Sequence, residues 1–232
     1  MDIKAIRLLF ITSISLIIIE NVNSKLVITK NELGTIDDFS YEFWKENDAG
    51  TAIMTFENKN KFNCSWDSIY DIIFTVGKEI RKDKSLDKIN LDNITVNYDI
   101  DFTTDGKAYI GVNGYFGEYY SEYFIVDNWG EWRPIYGESL GTISVDDGVY
   151  DIYYNEKFVP PNIHGIQKTL EYWSTRREKR SKGIVSVGEH FKAWQKKGLE
   201  LTNVHSVSFR VEGFKSNGNA IVNNMEININ EK

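Results

Sequence analysis

Only one cysteine, Cys64, occurs in the chain, so no disulfide can form within it. Packing and strand pairing must therefore hold the fold together. Concentrated positive charge is also missing. The net charge is −7 and the one basic run is Arg176-Arg177-Glu178-Lys179-Arg180, which argues against a nucleic-acid partner. The three histidines, His164, His190 and His205, lack metal-ligand spacing and read as surface residues. No apolar run is long enough to span a bilayer, which takes about 20 residues. The run over residues 8–19 is shorter; it follows Lys4 and Arg7 and precedes Val22-Asn23-Ser24. Residues 1–24 thus read as a secretory signal peptide, with a membrane anchor as the alternative. Residues 25–232 read as one domain, secreted, extracellular and free of the membrane after cleavage. No linker or repeat interrupts it.

Aromatic residues, by contrast, make up 14 % of the chain. Such rings suit stacking on sugars and equally suit sheet packing. Asn63-Cys64-Ser65 and Asn93-Ile94-Thr95 are sequons, usable where a host glycosylates.

Short alternating segments bounded by Gly, Asn and Asp recur along the chain. They predict strands over 51–56, 94–102, 108–113, 120–126, 141–145, 149–155, 169–175, 206–211 and 220–229. One stretch has helical spacing, with Val187, Phe191, Trp194 and Leu199 as its apolar stripe. Ser186 and Glu189 form a capping-box pattern before it, and Gly198 suits its C-terminal end. The fold class expected is all-β, a sandwich with one short α-helix.

Within YYSEYFIVDNWGEWRP (119–134), Tyr120, Glu122, Phe124 and Val126 share one strand face, and Tyr123 and Ile125 the other. A carboxylate among rings is either solvated or set on a cleft floor. In SVSFRVEGFKSNG (206–218), Ser206, Ser208, Arg210, Glu212 and Phe214 share an outward polar face, and Val207, Phe209 and Val211 face the core. Two strands thus each present one glutamate. Glycoside hydrolysis uses such a pair, one carboxyl protonating the leaving oxygen and the other attacking or activating water. Most strand carboxylates are simply solvated, so the pair alone is suggestive but not specific.

Three separated motifs, EYFIVDNWGEWRP, DDGVYDIYYNEKFVPPNIHGIQKTLEYWSTRREKR and VEGFKSNG, together with GEHFKAWQKKGLEL and YEFW at 41–44, fall in one order. In that order they resemble the glycoside hydrolase family 11 xylanases over most of the chain. The resemblance implies a β-jelly-roll sandwich shaped like a partly closed right hand, whose cleft takes a β-1,4-xylan chain. It places Glu122 on the nucleophile and Glu212 on the general acid/base of retaining hydrolysis, with no metal or organic cofactor. Glu212 should then hold its proton through repulsion from a nearby ionised Glu122. Pro161 and Ile163, within Val159-Pro160-Pro161-Asn162-Ile163-His164-Gly165, match a thumb loop that closes over substrate; the alternative is an ordinary Pro-rich turn. Trp44 matches a sugar-stacking tryptophan, or is a buried sheet ring. Asp71 matches the neighbour of the acid/base, where Asp accompanies acidic optima, or is a solvated loop residue.

The chain departs from the family pattern inside the cleft. Asn113 stands where the family has a Tyr that bonds the nucleophile. Phe124 and Phe214 replace tyrosines, losing a hydroxyl each. Lys157 replaces an Arg near the thumb base, and Glu171 replaces a Gln beside the nucleophile. That third carboxylate should disturb the pair unless a partner neutralises it. Tyr120-Ser121 stands in place of the family's Pro-Leu or Pro-Ile. The function so implied is a secreted, monomeric endo-1,4-β-xylanase acting on xylan or a related plant cell-wall polysaccharide. Two alternatives stand beside it: a weak or inactive glycan-binding protein, and a hydrolase of another β-linked glycan.

Overall fold

The computed structural model describes residues 25–80, 93–117, 121–162 and 165–229, and for 158–162 and 165–168 the backbone alone. The signal-peptide reading, Tyr120, Ile163 and His164 lie outside the described residues, as does the Pro161 side chain. Among the described residues, thirteen strands form one sheet, accompanied by one helix.

Two long strands organise it. β5 (Lys61–Glu79) and β13 (Ser206–Asn228) run antiparallel along most of their length. Each bends at a residue with positive φ, Ser68 (55°) and Lys215 (47°), and the register slips between Ser216 and Gly218. The bend sends the two ends of the pair into different layers. On one side, β13 pairs with β6 (Thr95–Thr104) and β5 pairs with β4 (Thr51–Asn58), which carries β1 (Leu26–Ile28) at its edge. On the other, β5 pairs with β3 (Phe39–Lys45), itself paired with β2 (Glu32–Ile36), while β13 pairs with β7 (Lys107–Phe116). From β7 the second layer continues through β8 (Ser121–Trp129), β11 (Gly165–Arg176), β10 (Gly148–Asn162) and β9 (Glu138–Val145). β8 and β11 are parallel and the remaining pairs antiparallel. β12 (Lys182–Val185) closes against β6. At the bend Trp66 packs where a Cβ on Gly218 would sit, 2.1 Å from the ring, so only glycine fits.

The two predicted segments 206–211 and 220–229 are thus halves of one strand. β1, β2, β3, β5 and β12 add to the predicted set. Between the layers lies a sealed apolar core that includes Phe43, Phe74, Tyr98, Tyr123, Phe191, Trp194 and Phe209. The helix α1 (Val187–Lys196) buries Val187, Phe191 and Trp194 into it, as the spacing predicted. It ends in a Schellman turn: Gly198 N–H donates to the Gln195 carbonyl, Leu199 N–H donates to the Trp194 carbonyl, and Gly198 has φ +81°.

Its start differs from the expected capping box. The Ser186 hydroxyl donates to Asp146 Oδ1 at 2.6 Å, and the Ser186 N–H to Asp146 Oδ2 at 2.8 Å. A turn carboxylate, not the helix itself, anchors the entry. The surface reading of the histidines is corrected at His190, which is wholly buried between Tyr150 and Trp194. Burial, helped by the Arg180 charge, pushes its pKa down to about 3, so the ring stays neutral. Cys64 is buried and free. Asn93 is exposed just before β6, while Asn63 is half-buried within β5. No helix among the described residues is long and apolar enough to cross a membrane.

Candidate active site

Cross-strand register assembles a cleft on the concave face of the second layer. Residues directly opposite one another share a face. One row runs Asn155, Glu171, Glu122, Tyr115 across β10, β11, β8 and β7. The next runs Trp173, Phe124, Asn113, Ser208. Then come Val126, Gly111, Arg210, Thr75 and Glu42. Beyond a bulge between Ile110 and Gly111, Tyr109, Glu212, Ile73 and Trp44 follow, and then Lys107, Phe214 and Asp71. Gly111 is forced by the bulge, because a Cβ there would stand 2.1 Å from the Ile125 carbonyl oxygen.

The resulting cavity has a volume of about 520 Å³, within the usual range for ligand clefts. Glu122, Glu212, Asp71, Phe124, Lys157, Glu171 and Phe214 line it, with Tyr109, Trp132, Tyr136, Asn155, Trp173 and Arg210. Its walls are aromatic. Phe124 stacks on Trp173 at 3.9 Å between centroids, and Tyr136 leans on the same indole at 5.0 Å. Trp44 is half-buried in register with Ile73 and Glu212 but does not line this cavity. Asn113 is buried beneath it, and its Oδ1 has no hydrogen-bond partner.

Glu212 and Glu122 meet at one guanidinium. Arg210 Nε and Nη2 donate to Glu212 Oε2 at 2.6 and 2.5 Å, and Nη1 lies 3.7 Å from Glu122 Oε1. The Tyr109 hydroxyl donates to the same Glu212 oxygen at 2.6 Å. Tyr115 bonds Glu122 from the neighbouring strand, two residues from Asn113. The polar face of β13 therefore does not look out to solvent, as the sequence pattern suggested. Ser206, Ser208 and Arg210 are buried under the cleft.

The third carboxylate finds a partner. Lys157 and Glu171 form an ion pair, and Asn155 Nδ2 donates to Glu171 at 2.9 Å. Burial pushes the Glu122 carboxyl above its usual range; Arg210 and Lys157 pull it back, and Glu171 and Glu212 push it up. Asp71 is half-buried beside Glu212, with Oδ1 unpartnered. Burial and then the Glu212 charge push it up to about 7. The sequence reading missed Arg210, Tyr109, Tyr115 and Trp173. Position 210 carried a signal, since it shares a strand face with Glu212, but an arginine on a polar face reads as solvated.

No group of three or more His, Cys, Asp or Glu among the described residues is arranged to hold a metal ion.

Residues 36–223 match the family described as Glycosyl hydrolases family 11. The chain belongs to that family. It is 37 % identical to Endo-1,4-beta-xylanase A of Bacillus pumilus, covering 96 % of each chain. It is 38 % identical to Endo-1,4-beta-xylanase A of Thermoclostridium stercorarium, covering 88 % of this chain and 31 % of that one. It likewise spans only 33 % of a bifunctional xylanase/deacetylase of Pseudobutyrivibrio xylanivorans. Among solved structures, the family 11 xylanase from Neocallimastix patriciarum superposes with a TM-score of 0.77. That match has 26 % identity and covers 90 % of this chain and all of that one. The layered sheet is accordingly the β-jelly roll of this family.

Proposed function

We propose that the chain is an endo-1,4-β-xylanase that hydrolyses xylan with retention of configuration. The observation that carries this reading is the pair Glu122 and Glu212, held against one guanidinium on the floor of an aromatic-walled cleft. In the first step Glu212 gives its proton to the glycosidic oxygen and the shortened chain leaves as an alcohol. A Glu122 oxygen meanwhile bonds to the anomeric carbon, forming a glycosyl ester. In the second step Glu212 takes a proton from water, the hydroxide attacks that carbon, and Glu122 leaves as the free carboxylate. Two inversions give net retention. Asp71 shares the proton traffic of Glu212, and the stacked pair Phe124 and Trp173 forms the wall along which sugar faces lie. Trp44 is read as stacking on a sugar, and Pro161 and Ile163 as belonging to a thumb loop that closes over substrate. The reading places the protein outside the cell as a monomer, supported for export by the charged and then apolar residues 2–19.

A second reading, glycan binding with little turnover, is favoured by one observation. Arg210 occupies Glu212 in the free site, while Phe124 and Phe214 lack hydroxyls. Reducing-sugar release from soluble xylan across pH 4–8, for the wild type and Glu122→Gln in parallel, separates the two. Release that the substitution abolishes supports hydrolysis. Saturable binding without release, indifferent to the substitution, supports the second reading. A panel of other β-linked glycans tests the breadth of substrate.

A further inference from the structure

Arg210 is the buried cation of the cleft, only 6 % exposed, and it sits at the middle of β13 among more acids than it can balance. Two of its nitrogens engage Glu212, a third faces Glu122, and its plane lies 5.4 Å from the Phe124 ring. Burial opposes its charge, but Glu212, then Tyr109 and Glu122, more than offset that and hold its proton. From β3, Glu42 lies in its register row, and from β5, Asp71 stands beside Glu212. From β7, the Tyr109 and Tyr115 hydroxyls approach the two glutamates. Two lysines also border the cleft: Lys157 on β10 is paired to Glu171 of β11, and Lys107 on β7 lies over the Phe214 ring. Tyr136, above the floor, feels the charge of Glu212. Arg210 is thus the cation in direct contact with the glutamate pair, with Lys157 adding its pull on Glu122.

We propose that Arg210 is the positioning residue that sets the proton count of this cleft. Its guanidinium draws Glu122 and Asp71 toward the ionised form, against the burial that favours their protonation. The argument rests on charge balance. An opposite charge at such distances favours the ionised carboxylate by about one to three pH units. Without it, the same carboxylates, half out of water and close together, relieve their repulsion by taking up a proton. The pull of Arg210 acts in the same direction on Glu42, Asp71 and Glu122. The consequence for catalysis rests on the hydrolase reading above. Removing Arg210 moves the acid limb of activity up in pH, because Glu122, the attacking carboxylate, keeps its proton longer.

The test uses two variants of the full chain. Arg210→Met keeps a long apolar stem over Phe124 and removes the charge; Arg210→Lys keeps the charge. Carboxyl titrations followed by carbon-13 NMR report the cleft directly, without turnover, and the amide spectrum confirms the fold. In Arg210→Met the Glu122 and Asp71 titrations move up by about one pH unit or more, and in Arg210→Lys by less. The acid limb of kcat/KM on xylan moves up with Glu122. Unmoved titrations in a folded Met variant overturn the proposal, even if the wild type hydrolyses xylan. Conversely, titrations that move in a protein that releases no sugar at any pH uphold the role of Arg210 and refute the hydrolase reading.

Discussion

Two arginine–carboxylate clusters are buried among the described residues, and they are built on opposite principles. In the core, Asp127 is fully enclosed, and its two oxygens accept from Arg180 Nε (2.9 Å) and Nη2 (2.7 Å), Tyr98 (2.7 Å) and Tyr150 (2.6 Å). A second guanidinium, Arg176, reaches the same cluster through the Tyr150 hydroxyl (3.1 Å), and the carboxylate's acceptor sites are filled. In the cleft, Arg210 serves Glu212 and Glu122 together, while Asp71 keeps an unpartnered oxygen. A cluster whose carboxylate is saturated with donors serves structure. An unbalanced one leaves a proton to be shared, which acid–base chemistry requires.

The largest effect expected is on turnover. Glu122→Gln and Glu212→Gln should each lower kcat by roughly 10³-fold or more, since each removes a group that bonds or transfers a proton in the reaction. Their thermal midpoints should hold or rise, because a carboxylate has left a crowded site; differential scanning calorimetry checks this. The core cluster should behave in the opposite way. Asp127→Asn leaves Arg180 buried without its counter-charge and should cost about 3–5 kcal/mol of stability. Activity per folded molecule should stay near wild type, as denaturant titration alongside kinetics would show.

A pH effect comes next. Asp71 is raised from its ordinary value to about 7 in the fold. A raised acid contributes its stability below its unfolded pKa, near 4, and loses it as pH climbs through the folded value. The thermal midpoint should therefore fall between pH 4 and 7, and Asp71→Asn should flatten that fall. The smallest effect expected concerns the Lys157–Glu171 pair. Glu122 must be ionised to attack, and Lys157 favours that form while Glu171 opposes it. Lys157→Met should move the acid limb of kcat up, and Glu171→Gln should move it down. Each shift should stay below about one pH unit, because Lys157 is 57 % exposed and solvent screens it.

The contrast also explains what the sequence could and could not say. Alternation along 120–126 and 206–214 was enough to put Glu122 and Glu212 on exposed-or-cleft faces, and motif order placed their neighbours. The same alternation sets Asp127 on the face of Tyr123 and Ile125, the core face, where a lone carboxylate has no explanation until Arg180 arrives from far along the chain. Arg210 failed for the converse reason. Its face looks polar in one strand, and only the curl of the sheet, with β7 and β8 packed beside it, turns that face into a floor. The bend of β5 and β13 was equally hidden, since 206–211 and 220–229 alternate like separate strands. Between them, Lys215 carries the positive φ and the register slips before Gly218.

The central claim is that Glu122 forms a covalent bond to the sugar. A 2-deoxy-2-fluoro xylobioside with an activated leaving group should glycosylate the wild type faster than the ester hydrolyses, because the fluorine slows both steps and the leaving group restores the first. Mass spectrometry of the intact protein should show one added disaccharide, and peptide mapping should place it on Glu122. A protein that releases the leaving group yet carries no adduct, or carries it on Glu212 or Glu171, would contradict the account.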